Sequence, residues 1–344
     1  MKILHVLRSN EFSGAENVAC QIIKMMENLG YDSAYCSAGG SIRETLEAKD
    51  IKFFPVKKLT IRGLYKVIKS YKPDVIHAHD MYASLISAMV SGKTKVISHI
   101  HNSDFSSRKL SVKSILYLIS SIKFSNIIWV SHSCFEFYRF HNILKEKSKI
   151  LYNVIDGEQV NEKAESDSNE YSYDMVYVGR LAEPKNPLRL INIVKLIKEK
   201  KDDIKVGIVG SGNLEAITRA KADEYELNDN VYFHGFMDNP LKIIKSSKVL
   251  AITSDREGLP MVALEAMALG VPIVSTPTDG LCDIVKSGVT GFLESEEEKF
   301  AESALLLINN LNIREKFSES TLEEFSEIND IEKYKGVLNG LYCE

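Results

Sequence analysis

Short apolar runs alternate with longer amphipathic stretches along most of the chain. In the first half, Ile3–Leu7, Ser33–Cys36, Phe53–Val56, Val75–His79, Lys95–Ile100, Ile127–Val130 and Ile150–Tyr152 have the length expected of buried strands. Between them, Ala15–Leu29, Ile42–Lys49, Leu64–Tyr71, Tyr82–Val90 and Val112–Ile122 have the periodicity of helices. Strand–helix alternation predicts an α/β fold with a mostly parallel sheet covered on both faces. Residues 161–172, rich in Asn, Glu, Ser and Asp, predict a loop or linker. A second alternation follows, with strands at Met175–Val178, Lys205–Val209, Val231–Phe233, Val249–Ile252, Ile273–Ser275 and Gly291–Leu293. Two Rossmann-like domains in series are expected, over residues 1–155 and 156–329.

At 344 residues the chain is too long for one ordinary core, which agrees with two domains. No apolar run reaches the roughly 20 residues needed to span a bilayer. The stretch Met1–Arg8 lacks the shape of a signal peptide, so the protein is expected in the cytoplasm. Five scattered cysteines without a C-x-x-C pair predict neither a disulfide framework nor a zinc site. The net charge of −4 hides a division. Residues 1–150 carry 22 Lys+Arg against 12 Asp+Glu, and residues 151–344 carry 21 against 35. The basic first half fits an anionic surface. Without aromatic stacking modules or a helix-turn-helix signal, nucleic acid is not expected as a partner, and an anionic membrane leaflet fits better.

The most informative stretch is Ser254–Ser275. Its pattern reads as a loop, a helix and a strand, with Pro260 suited to the first helical position and Gly270 to the left-handed residue that ends a helix. Glu257 falls in the loop, and Glu265 falls about two turns into the helix. Amides of Gly258, Leu259 and Pro260's neighbours at the helix start favour an anion. A ligand with a phosphate in the middle and hydroxyls at both ends fits this layout, and a nucleotide-sugar is such a ligand. In Tyr177–Pro187, Arg180 leaves a strand end and Lys185 follows five residues later. Fixed cations there suit the charge on a leaving diphosphate. Gly210 and Gly212 follow the next strand, where glycine lets backbone approach a ligand. In the first half, Gly14 and Glu16 open the first helix. Asn102 and Asp104 follow His99 and His101 at a strand end, and His77, His79 and Asp80 form a similar group. A neutral imidazole can bond a sugar hydroxyl or accept a proton. Asp104 is placed to meet an acceptor. Neither an Asp-x-Asp triplet nor a His/Asp grouping with metal-ligand spacing stands out.

These motifs resemble the retaining glycosyltransferases of the glycogen-synthase-like family 4, of GT-B fold, and the bacterial surface-polysaccharide members above all. The matching residues are the Glu257/Glu265 stretch, Gly179-Arg180-Leu181 with Lys185, Gly210-Ser211-Gly212, Phe233-His234-Gly235 and His99-Ile100-His101-Asn102. The resemblance implies two Rossmann-like domains facing across a cleft, with a last helix, residues 330–344, crossing back onto the first. It implies that Glu257 binds donor-sugar hydroxyls, Glu265 the ribose, and Arg180 and Lys185 the diphosphate. It also implies that the Gly235 backbone lies beside the base, that His101 faces the sugar and that Gly14 approaches the phosphate. Ser13 stands where the family usually has a first glycine. The implied activity is metal-independent, cofactor-free hexosyl transfer from a UDP-sugar to a lipid-linked oligosaccharide, in O-antigen, capsule or exopolysaccharide synthesis. The rivals are a GT-B sugar-nucleotide epimerase and a non-catalytic sugar-nucleotide-binding partner subunit. Finally, Arg108–Lys123 is apolar with basic flanks. It reads equally as an interfacial helix on a membrane or as a buried crossover helix.

Overall fold

A computed structural model describes residues 1–102 and 105–344. Ser103 and Asp104 lie outside the described residues, and the expectation for Asp104 with them. The chain divides into two compact units, residues 1–153 with 331–344, and residues 154–330.

The first unit holds seven parallel strands: β1 (Lys2–Val6), β2 (Asp32–Ala38), β3 (Phe53–Val56), β4 (Val75–Ala78), β5 (Lys95–Ile100), β6 (Phe124–Trp129) and β7 (Ser148–Ile150). Their order is β3-β2-β1-β4-β5-β6-β7. The strands are buried on both faces, as parallel sheets require; Ile3, Leu4, Val6, Ile76, Val96, Ile97, Ile127 and Ile128 show essentially no exposed surface. The helix Ile331–Cys343 belongs to this unit. It buries Tyr334, Leu338, Leu341 and Tyr342. Tyr31 Oη donates to its Asn339 Oδ1 at 2.6 Å.

The second unit holds six parallel strands: β8 (Tyr173–Val178), β9 (Val206–Val209), β10 (Val231–Gly235), β11 (Ser247–Ile252), β12 (Ile273–Ser275) and β13 (Gly291–Leu293). Their order is β10-β9-β8-β11-β12-β13. Its core joins Met175, Ile208, Val249 and Ala251 of the sheet to Leu190, Ile193, Val194 and Ile197 on one helix and Phe300, Ala304 and Ile308 on another. In both units the chain order reverses direction beside the first strand, at β1/β4 and at β8/β11. Open α/β sheets bind ligands outside the carboxyl ends of the strands at such a reversal.

Several elements differ from expectation. The loop expected over 161–172 begins as helix, because Gly157–Ser166 is capped by Asp156, whose Oδ1 accepts from Gln159 N at 3.0 Å. Only Val160 and Ala164 are buried there, too few apolar positions to announce a helix. The strand expected at Ile150–Tyr152 lies at Ser148–Ile150, in register with Ile127–Trp129. Pro260 is the helix N-cap and not its first helical residue, with φ −70° and ψ 129°. The helix expected over 112–122 runs from Val112 to Ser120, then tightens into a 3₁₀ turn over Ser121–Lys123.

Candidate functional site

The second unit gathers its candidate residues at the β8/β11 reversal. Beyond β8 the chain passes Gly179 and Arg180 into a short 3₁₀ turn, Glu183–Lys185. Asn186 then takes a left-handed φ of 46° and caps the helix Pro187–Lys198 through Oδ1 to Arg189 N. Beyond β11 comes the loop to helix Met261–Ala268. Backbone and side-chain bonds tie the two segments together. Asp255 N donates to Pro184 O at 3.0 Å, and Thr253 Oγ1 donates to Asn186 O at 3.0 Å.

Lys185 Nζ meets Glu257 Oε1 at 2.5 Å, and Ser254 Oγ donates to the same oxygen at 2.6 Å. Glu257 is buried and Lys185 keeps a quarter of its side chain exposed. A buried carboxylate without a partner costs several kcal/mol, and Lys185 and Ser254 supply those partners and orient Glu257. Arg180 is exposed and carries no ion pair among the described residues. Its guanidinium is therefore open to an incoming anion.

The glycines expected to line the nucleotide pack on the loop that carries Arg180. A Cβ on Gly210, whose φ is +134°, would sit 2.0 Å from Gly179 O. One on Gly212 would sit 2.3 Å from Leu181 O. Gly210 N donates to Gly235 O at 2.7 Å, and Leu181 N to Ser211 O at 2.9 Å. Glycine is required here because backbone meets backbone. Gly235 has φ +68° and open space around it. Gly258, Leu259 and Pro260 are buried beneath the helix start.

Sequence reasoning missed three contributors. Ser254 orients Glu257. Thr276, after β12, donates from Oγ1 to Ser254 O at 2.5 Å and fixes that loop from below. Gly280, near the start of helix Asp279–Ile284, lies so close that a Cβ would come within 1.8 Å of Gly258 O. Only a glycine beyond the next strand, β12, could have signalled this, and single glycines are common in turns.

Glu265 lies on helix Met261–Ala268, enclosed by protein yet partly accessible. Burial raises its carboxyl from 4.5 to about 7, against the opposing pull of Lys163. Gly270, with φ +67°, ends this helix as expected.

In the first unit, Gly14 opens the helix Gly14–Glu27 after the N-cap Ser13, and its Cβ position is open. Glu16 is buried and accepts a short hydrogen bond from Ser13 Oγ. Asp80 caps the helix Met81–Val90, its Oδ1 accepting from Ala83 N at 2.6 Å, and thereby leaves the grouping expected with His77 and His79. His101 is half-buried and held neutral by burial, at about 3. It does not stand alone. His5, His77, His79, His99 and His101 stack in one array across β1, β4 and β5.

The Glu265 shift sets a pH signature. A carboxyl raised in the folded state binds a proton that the unfolded chain has already released, so stability falls as pH rises between about 4.5 and about 7. Glu265→Gln removes that fall. In urea unfolding it should match the wild type near pH 5 and exceed it by roughly 1–3 kcal/mol at pH 8, after discounting for partial exposure. Equal stability of the two proteins at both pH values would contradict the burial account.

Comparisons with known proteins bear on the family and the fold. The model described as Glycosyltransferase Family 4 matches residues 12–159, and that described as Glycosyl transferases group 1 matches residues 158–324. The Staphylococcus aureus capsular polysaccharide biosynthesis glycosyltransferase CapH is 25% identical over 77% of this chain and 78% of its own length. The Escherichia coli UDP-Gal:alpha-D-GlcNAc-diphosphoundecaprenol alpha-1,3-galactosyltransferase is 25% identical over 85% of this chain and 84% of its own. Among solved structures, Anabaena Alr3699/HepE in complex with UDP and glucose superposes with a TM-score of 0.86, at 19% identity, over 100% of both chains. Two Rossmann-like parallel-sheet units, both family models laid end to end along the chain, and relatives in polysaccharide synthesis place this protein among the family 4 glycosyltransferases of GT-B fold.

Proposed function

We propose that the protein is a retaining, metal-independent hexosyltransferase that moves a hexose or N-acetylhexosamine from a UDP-sugar to a lipid-linked glycan in bacterial surface-polysaccharide synthesis. The observation that carries this reading is the Lys185–Glu257 pair at the β8/β11 reversal. It joins the cation suited to a departing diphosphate to the carboxylate suited to sugar hydroxyls. A diphosphate arriving at Arg180 and Lys185 competes for the ammonium and frees Glu257 to accept from the sugar. Glu265 receives the ribose hydroxyls, and the backbone of Gly235 and of Gly258–Pro260 frames the nucleotide. His101 orients the sugar, and Gly14 approaches the phosphate. In the step itself, the acceptor oxygen bonds to the anomeric carbon on the face from which the UDP oxygen departs. The acceptor proton passes to the departing phosphate, while Arg180 and Lys185 hold the developing charge. The UDP and UDP-glucose in structural neighbours support the donor, and the diphosphoundecaprenol acceptor in the name of a relative supports the lipid carrier.

A membrane-borne acceptor calls for attachment at the lipid surface, and the first unit offers a suitable face. Leu110, Val112, Ile119 and Ile122 are each more than half exposed along and beside the helix Val112–Ser120, with Ile115 and Leu116 next to them. Residues 105–135 contain Arg108, Lys109, Lys113 and Lys123 and no acidic residue. An apolar stripe rimmed by cations suits an anionic leaflet, at about 1 kcal/mol per basic residue near the surface. Among the described residues no helix is long and apolar enough to cross a membrane.

Glu257→Ala should lower sugar transfer about a hundredfold or more while leaving UDP affinity within threefold, because the lost contacts are to the sugar. Collapse of UDP binding in parallel would refute that division of roles. For the membrane face, sedimentation with vesicles should show binding to phosphatidylglycerol-rich but not phosphatidylcholine vesicles. Leu116→Asp with Ile119→Asp should abolish it. Equal binding to both lipids, or no effect of the two substitutions, would sink the proposed attachment.

A further inference from the structure

Five of the chain's eight histidines occupy one array at the β1/β4 reversal of the first unit. His5 lies opposite His77 in the β1–β4 register. The two-residue period of a strand puts His77 and His79 on one face, and likewise His99 and His101. His77 and His79 stack at a centroid distance of 4.3 Å, and His99 and His101 lie tilted at 4.2 Å. All except His101 are fully buried.

Two triads, His5/His77/His79 and His79/His99/His101, bring ring nitrogens within 4.8 Å of one another, which raises the question of a metal. The contacts decide against it. Tetrahedral zinc at 2.0–2.1 Å from each imidazole sets ligand nitrogens about 3.3–3.4 Å apart. His79 Nε2 meets His5 Nδ1 at 2.9 Å, and His79 Nδ1 meets His101 Nε2 at 3.0 Å. These are hydrogen-bond distances. Burial keeps the rings neutral, with His5 and His101 lowered to about 3. A neutral ring has one donor and one acceptor nitrogen.

His79 therefore donates to one neighbour and accepts from the other, and the three rings in series have only two proton arrangements. His5 Nε2, at the inner end, is buried without a partner. In one arrangement it carries an N–H with nothing to receive it; in the other it is a bare nitrogen. An orphaned buried N–H is the rarer defect. The His5 proton thus sits on Nδ1 and is donated to His79 Nε2. His79 Nδ1–H then donates to His101 Nε2, and His101 holds its proton on Nδ1. A second branch joins His99, His77 and Tyr342. His99 Nε2 is also buried and unpartnered. His99 Nδ1 and His77 Nε2 lie 3.2 Å apart, and His77 Nδ1 lies 2.7 Å from Tyr342 Oη.

We infer that His5 and His79 are positioning residues that lock His101 in its Nδ1–H tautomer, so that His101 offers the donor sugar a hydrogen-bond donor and not a base. The second half of this statement rests on the proposed contact between His101 and the sugar; the tautomer lock does not. A ring nitrogen's role is set by the bond its opposite nitrogen makes. The array thus spares the enzyme a base that could take a proton from a sugar hydroxyl, and it keeps proton transfer with the departing phosphate.

Long-range proton–nitrogen NMR correlation on ¹⁵N-histidine-labelled wild-type protein reads the tautomer of each ring directly. At pH 7, His101 should show a protonated Nδ1 and a bare Nε2, as should His5 and His79. In His79→Leu the lock is gone, and His101 should move toward the Nε2–H form that free histidine favours. Transfer should then drop about tenfold or more in kcat, with KM for the UDP-sugar within twofold. A wild-type His101 protonated on Nε2, or one zinc per chain in the purified protein, would overturn the lock, and neither reading depends on a variant that folds. If the tautomers are as stated but His101→Ala transfers normally, the sugar contact fails and the lock stands.

Discussion

The reversal of strand order beside the first strand of each sheet is the constraint on which the rest depends. In the second unit β8 is flanked by β9 on one side and β11 on the other. The chain leaves these strands in opposite directions, and the loops beyond β8 and β11 are the segments free to meet. Lys185 comes from one and Glu257 from the other, 72 positions apart, and they meet at 2.5 Å. Every supporting contact serves that meeting. Gly210 and Gly212 let the Arg180 loop lie against the end of β9, Thr276 holds Ser254 from below, and Gly280 makes room for the Gly258 carbonyl.

The same constraint in the first unit brings β1 beside β4, which places His5 opposite His77. Five imidazoles in a sheet interior are an expensive substitution for aliphatic packing unless their nitrogens pair. Stacking and N–H···N bonds offset part of that cost and leave two buried nitrogens among the described residues, His5 Nε2 and His99 Nε2, unpartnered. Tyr342 joins the array from the last helix, so this helix contributes a polar bond to the sheet as well as apolar burial.

Periodicity made most of the sheets legible, because parallel strands buried on both faces are continuous apolar runs. Helix Gly157–Ser166 escaped because its capping Asp156 and only two buried positions carry little apolar signal. The β7 strand slipped by two residues because Ser148 and Lys149 at an edge look no more strand-like than Leu151 and Tyr152. At the site, Glu257, Glu265, Arg180 and Lys185 stood out because their local text is distinctive. Ser254, Thr276 and Gly280 did not, since their roles exist only across loops brought together by the fold. The histidine array was hidden for the same reason. His5 is 72 residues from His77, and no local spacing links them. Gly210 and Gly212 were legible as glycines that something must approach, but that something is the protein's own backbone.

The central claim is that the loops beyond β8 and β11 form a nucleotide-sugar site with Glu265 on the ribose. Isothermal titration of the wild type and of Glu265→Ala with UDP, GDP and their sugar derivatives tests it most directly. The account predicts micromolar binding of UDP and of one UDP-sugar by the wild type, weakened tenfold or more by the substitution. No heat with any nucleotide, or UDP binding untouched by Glu265→Ala, would contradict it.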